Sequence, residues 1–190
     1  MRSFVALPLP DPVLDSLESL QAGLPAGRPS RRDTLHLTLA FVGEHSPEAV
    51  EALHEELERI SAPAFDVQLT GVGTFGKSSP AVLWAGVEKN EALEALHGQV
   101  LSAMRRAQLP VPPGRFRPHV TIARFGRGQH PDCLRRLAGF IAARAAFRAP
   151  LFRATGFTLY RSTLHPEGAL HEALASYPLH PEGGGAEAAR

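Results

Sequence analysis

The sequence predicts a mixed chain of helices and strands built in two related halves. Three observations carry that expectation. Apolar residues recur now at strand spacing and now at helical spacing along the chain. The order strand, helix, strand, helix, strand runs before the midpoint, and a looser version follows it. A His-x-Thr pattern inside an apolar strand occurs once in each half, in TLHLTLAFVG (residues 34–43) and in PHVTIARF (residues 118–125).

Residues 2–9 alternate weakly and read as a first strand. Asp11 followed by Pro12 reads as an N-cap and then proline at the first helical position, and Val13, Leu14, Leu17 and Leu20 form the stripe that follows. Residues 23–29 are a loop, and residues 35–42 the first motif strand. Ser46-Pro47-Glu48 opens a second helix in the same way, with Val50, Leu53, Leu57 and Ile60 on one face. Residues 65–69 read as a strand, residues 71–80 as a glycine- and serine-rich loop carrying Phe75, and residues 81–87 as a strand with Trp84 in the core. Asn90 caps a third helix, whose stripe is Leu93, Leu96, Val100, Leu101 and Met104. A proline-rich loop (108–115) leads to the second motif strand (119–125). Residues 131–142 read as a helix and residues 151–164 as one or two strands. Residues 169–179 read as helix by propensity. The expected organisation is one domain over residues 1–180 and a disordered glycine- and alanine-rich tail over residues 181–190.

With 190 residues, 44% of them hydrophobic, the chain is long enough to bury a core without staples. A net charge of +1 gives no broad grip on duplex nucleic acid. Charge is local instead: Arg28, Arg31 and Arg32 lead into the first motif, and Arg115, Arg117, Arg124 and Arg127 surround the second. One cysteine, Cys133, excludes an internal disulfide and a cysteine-based zinc site. The opening MRSFVALPLPDP is broken by prolines too early for a signal peptide or a membrane span, so the expectation is a soluble, cytoplasmic protein.

In a strand, residues i and i+2 share a face. His36 and Thr38 therefore project together, with Leu35, Leu37 and Leu39 opposite; His119 and Thr121 do the same, with Val120 and Ile122 opposite. Each motif holds one imidazole and one hydroxyl on a rigid platform. An imidazole is base or acid near neutral pH, and a threonine hydroxyl donates to an anionic oxygen. Two facing pairs make a clamp with two proton-transfer groups, suited to in-line displacement at a phosphodiester. A lone strand histidine is more often a satisfied core or surface residue. Two copies of the pattern in the same strand context tip the balance to function. No other histidine pair has metal-ligand spacing with a third ligand, and His45, His54, His97, His130, His165, His171 and His180 are expected to be solvated or unpartnered.

These segments resemble the 2H phosphoesterase superfamily, named for two His-x-Thr-x motifs. Within it the chain is most similar to the RNA 2′,3′-cyclic phosphodiesterase (ThpR, LigT or "2′-5′ RNA ligase") family, through TLHLTLAFVG, FRPHVTIAR, VLWAGV and FTLYRSTL. The resemblance implies an α+β fold, bilobal and duplicated, with two mainly antiparallel sheets and flanking helices around a central cleft. It makes residues 169–179 a strand paired with FTLYRSTL. It implies His36 as proton donor to the ribose O3′ and His119 as proton acceptor from water, a direction that spacing alone does not supply. Thr38, Thr121 and Arg124 would contact the phosphate, and Phe75 would stack on the terminal base. Alternation puts Arg124 on the face opposite His119, so a bulge or the strand end must redirect it. The implied partner is an RNA or nucleotide with a 2′,3′-cyclic phosphate end. No metal, cofactor, membrane or obligate protein partner is expected, and the protein would be a monomer. Two other readings stay open: a 2H phosphodiesterase acting on small cyclic or 2′-5′ nucleotides, and a binding module that holds RNA ends without turnover. Reverse 2′-5′ ligation is a possible side activity.

Overall fold

The computed structural model describes residues 1–76, 80–126, 130–165 and 168–181. The expected tail falls outside these residues from position 182 onward.

The alternating N-terminal segment forms β1 (Arg2–Pro8), and helix α1 (Asp11–Ala22) buries Val13, Leu17 and Leu20. Asp11 is the first helical residue and Pro10 occupies the cap, so the predicted Asp11 cap is displaced by one position. The Asp11 carboxylate caps no amide and is turned to an arginine instead. Asp11, Asp15 and Glu18, on one face of α1, all reach the Arg32 guanidinium, at 2.7, 2.7 and 2.6 Å. A short strand β2 (Arg28–Pro29) interrupts the predicted loop. The first motif strand is β3 (His36–Glu44), followed by α2 (Pro47–Glu58), where the Ser46 hydroxyl accepts from the Ala49 amide as its cap.

β4 (Phe65–Val67) and β5 (Leu69–Phe75) come next. Residues 71–75 are therefore strand and not loop. Glycines suggested the loop, but packing requires one of them: a Cβ at Gly73 would meet Trp84 Cζ2 at 2.4 Å, because the indole lies across the strand. The remainder of that predicted loop, residues 77–79, lies outside the described residues. β6 (Val82–Val87) carries Trp84, α3 (Glu91–Arg106) is capped by Asn90 as predicted, and β7 (His119–Arg124) is the second motif strand. Helix α4 (Pro131–Ala143) precedes β8 (Phe152–Ala154), β9 (Gly156–His165) and β10 (Gly168–Pro178). Residues 169–179 thus pair antiparallel with β9 from Gly168 to Pro178, against their helical propensity.

Both motif strands belong to one eight-stranded antiparallel sheet, ordered β10-β9-β1-β3-β7-β6-β5 with β2 beside β7; the second sheet is only the β4–β8 pair. The expectation of one sheet per motif is corrected accordingly. β3 and β7 share a single partner pair, Leu37–Val120, after which β7 turns its edge to β2 at Arg28–Arg124 and Pro29–Ala123. The sheet therefore opens between β3 and β2. Leu37, Leu39, Val120 and Ile122 point away from the opening into the core that includes Leu93, Leu96, Val100 and Met104 of α3.

Candidate active site

The opening in the sheet is a cleft of about 520 Å³. His36, Thr38 and Phe41 from β3, Thr121 and Arg124 from β7, and His171 from β10 stand in its wall. Arg2, Arg28 and Arg31 complete a cationic rim, and no carboxylate of the described residues lines the cleft. Arg31 is held by Asp33. Among the described residues Arg2, Arg28 and Arg124 pair with no acidic side chain. Arg32, by contrast, is spent on the three carboxylates of α1 and does not reach the cleft.

Arg124 reaches the cleft through an irregularity in β7. Leu83 pairs with Ala123 but Trp84 pairs with Thr121, so Ile122 is an extra residue that resets the alternation. β3 carries the same irregularity at the same offset. Val5 pairs with Ala40 and Ala6 with Thr38, which leaves Leu39 as the extra residue. Phe41 and Arg124 are thereby turned onto the face of the preceding histidine and threonine. A bulge leaves backbone groups without ladder partners, and they need replacements. The Ile122 carbonyl accepts from the Ser30 amide at 2.9 Å and from the Gln21 side chain at 2.7 Å. The Leu39 carbonyl is 2.8 Å from His97 Nδ1, and the His97 ring stacks on Phe116. His97 is thus a structural partner and not a solvated histidine. His54, bonded to the Tyr177 hydroxyl, is another.

His36 is braced on three sides. Its ring stacks on Phe4 with centroids 4.6 Å apart, His171 meets it edge-on at 5.1 Å, and the Thr34 backbone accepts a hydrogen bond from it. Burial lowers its pKa to about 4, and the nearby His171, Arg124 and His119 push in the same direction. His119 stands beside the cleft without walling it. Its Nδ1 lies 2.7 Å from the Arg117 carbonyl and donates to it, which leaves Nε2 as the free basic nitrogen. Burial lowers its pKa as well. Phe75 packs edge-on against His119 at 4.8 Å and against Trp84 at 5.4 Å, outside the cleft.

His171 is the residue that sequence reading missed. It lines the cleft, touches both His36 and Phe4, and keeps a buried Nδ1 with no hydrogen-bond partner. Its sequence neighbourhood, GALHEALAS, reads as helix and carries no second histidine or threonine at strand spacing. Only the β9–β10 pairing, which sets His171 across from Ser162, reveals it. Among the described residues no group of three His, Cys, Asp or Glu side chains could hold a metal ion.

The chain resembles proteins of known family. It is 29% identical over 183 residues to the RNA 2′,3′-cyclic phosphodiesterase of Geobacillus stearothermophilus, covering 93% of this chain but only 56% of that protein. It is 25% identical to the RNA 2′,3′-cyclic phosphodiesterase of Archaeoglobus fulgidus, covering 92% of this chain and 98% of that one. The crystal structure of E. coli LigT superposes with a TM-score of 0.76 at 28% identity, covering 94% and 97% of the two chains. The same protein in complex with 3′-AMP gives 0.74 at 28% identity, covering 94% and 96%. The α+β fold with antiparallel sheets and four helices is therefore LigT-like. A family model described as the 2′-5′ RNA ligase superfamily matches residues 9–166, a span that takes in both bulged motif strands, and the chain belongs to that superfamily.

Proposed function

We propose that this chain hydrolyses the 2′,3′-cyclic phosphate at an RNA end to a 2′-phosphate end by two-histidine acid–base catalysis. The observation that carries the reading is the geometry of the seam. β3 puts His36 and Thr38, and the adjacent β7 puts Thr121 and Arg124, into the wall of one arginine-rimmed cleft that no carboxylate of the described residues lines, with His119 of β7 beside it. The RNA 2′,3′-cyclic phosphodiesterases to which the chain is similar point the same way. The repeated bulge after each histidine supports a duplicated unit over residues 1–180.

The step balances without a cofactor. His119 Nε2 takes a proton from water as its oxygen attacks phosphorus. The P–O3′ bond breaks, and imidazolium His36 gives its proton to O3′. One water is consumed, leaving a 3′-hydroxyl and a 2′-phosphate. The proton on His119 then exchanges with solvent and His36 is recharged. Thr38 and Thr121 hydroxyls donate to the non-bridging oxygens, and Arg124 offsets their charge. A neutral His36 in the free protein gains its proton as the anionic phosphate enters, because a negative charge favours the imidazolium. Run backwards with a ribose hydroxyl in place of water, the same groups would join a 2′-5′ linkage.

The test is to incubate the protein with a short RNA ending in a 2′,3′-cyclic phosphate, in EDTA and without ATP, and to identify the product end. A 2′-phosphate is expected, with a loss of roughly 10²–10⁴ in rate for either His36→Ala or His119→Ala. A 3′-phosphate would exchange the roles of the two histidines. No turnover, or turnover only after metal is restored, would overturn the proposal.

A further inference from the structure

His36 and His119 stand on strands that barely meet. β3 and β7 share the Leu37–Val120 pair, and β7 then turns its edge to β2. One pair fixes little of the relative slide and tilt of two strands. Proton transfer tolerates little of either: a misplacement of about 1 Å costs on the order of a hundredfold in rate. Something else must span the seam.

Two helix side chains do, and they cross. α1 precedes β3 in the chain, yet its Gln21 serves the bulge of β7, donating to the Ile122 carbonyl at 2.7 Å. α3 precedes β7, yet its His97 serves the bulge of β3, with Nδ1 2.8 Å from the Leu39 carbonyl. A carbonyl only accepts, so Nδ1 carries the proton and donates. His97 has a second attachment that Gln21 lacks. Its ring lies on Phe116, with centroids 3.9 Å apart and planes 7° from parallel. Phe116 belongs to the segment entering β7, and the next residue, Arg117, supplies the carbonyl that holds His119 Nδ1. One imidazole thus grips the chain three residues after His36 and three residues before His119. Among the described residues that line the cleft His97 has no place, so it acts through the backbone. Nor does α3 depend on it: Asn90 caps the helix, and Leu93, Leu96, Val100 and Met104 bury its inner face.

We propose that His97 is a positioning residue, whose hydrogen bond to Leu39 and stack on Phe116 together fix the His36 strand against the His119 strand. This rests on the proposed roles of His36 and His119. The two attachments separate by substitution. Asparagine carries an amide N–H where Nδ1–H stands and offers no ring. Phenylalanine keeps the ring and offers no donor. Phe116→Ala removes the stack from the other side.

The experiment measures kcat and KM on a short RNA ending in a 2′,3′-cyclic phosphate, for wild type, His97→Asn, His97→Phe, His97→Ala and Phe116→Ala. Far-ultraviolet dichroism and a urea titration verify that each variant is folded at the assay temperature. His97→Ala is expected to lower kcat by about tenfold or more. KM stays within about twofold, because no substituted group meets the substrate. His97→Asn and His97→Phe each recover part of the lost kcat. Adding Phe116→Ala to His97→Asn costs nothing further, since the stack is already gone. The imidazole resonances of His36 and His119, assigned through His36→Gln and His119→Gln, read the same placement without turnover. His97→Phe shifts those of His36 and leaves the His119 proton on Nδ1. Phe116→Ala mixes the His119 tautomers and leaves His36 in place. An unchanged kcat in folded His97→Ala would overturn the proposal, as would a change confined to the urea midpoint. So would resonances of both histidines indifferent to every variant. Shifted resonances in a protein that turns over no cyclic phosphate would sink the proposed function and leave the bracing standing.

Discussion

His36 and His119 have the same surroundings in kind and different surroundings in degree. Both are pushed down by burial, His36 as far as about 4. The proposed reaction needs His36 protonated and His119 neutral. With both values below 6.5 in the free protein, kcat/KM plotted against pH is bell-shaped, with its maximum on the acid side of 6.5. Steady-state rates over pH 4 to 9 check this, and a flat profile with chemistry rate-limiting would contradict it. His171 admits an equally sharp test. Its buried Nδ1 has no partner, and an unpaired acceptor costs less than an unpaired N–H, so the proton belongs on Nε2. A glutamine amide can stand in for Nε2–H and an asparagine amide for Nδ1. His171→Gln should therefore retain most of kcat/KM, whereas His171→Asn and His171→Phe lose up to roughly tenfold, the worth of one hydrogen bond. Removing the His171 charge also raises the His36 pKa, which its imidazole resonances report.

At the scale of elements, the bulges decide the site. The His-x-Thr faces were legible in the sequence because period-two alternation places His36 with Thr38 and His119 with Thr121. The need for a bulge or a strand end to redirect Arg124 was legible too, since alternation alone sends that residue the wrong way. Its position at Ile122, and its twin at Leu39, were not, because a bulge is set by the register of a partner distant in sequence. The strand at residues 71–75 was hidden for a related reason: Gly73 answers to the Trp84 indole and not to a turn. The Ile122 carbonyl depends on Gln21 of α1, which also donates to the Ser30 carbonyl at 2.9 Å and so fastens β2 to β7. Gln21→Ala should loosen Arg28 and Arg124 together. A several-fold rise in KM with kcat nearly intact is expected, with stability lowered by only about 1 kcal/mol. Initial-rate kinetics and a denaturant titration separate the two effects.

Across the whole molecule, the alternating order of helices and strands and the apolar stripes of α2 and α3 were readable from residue spacing. The joining of both halves into one sheet was not, since a single partner pair makes the join. Three histidines with lowered pKa values stand at this part of the sheet: His36 and His171 in the cleft wall and His119 beside it. The unfolded chain holds protons on these groups below about 6.5, while the folded chain takes them up only at lower pH, near 4 for His36. Unfolding therefore binds protons in this window, and stability falls as pH drops from 6.5 towards 4. Thermal or urea unfolding across that range measures the slope, and His36→Gln should make it shallower.

The two bulges leave one difference between otherwise matching strands. Five residues after each histidine the chain places a side chain at the mouth, arginine in one strand and phenylalanine in the other. Two identical halves could accept a phosphodiester in either orientation. A charged jaw facing a flat one breaks that equivalence, and would give the proposed clamp a sense of polarity.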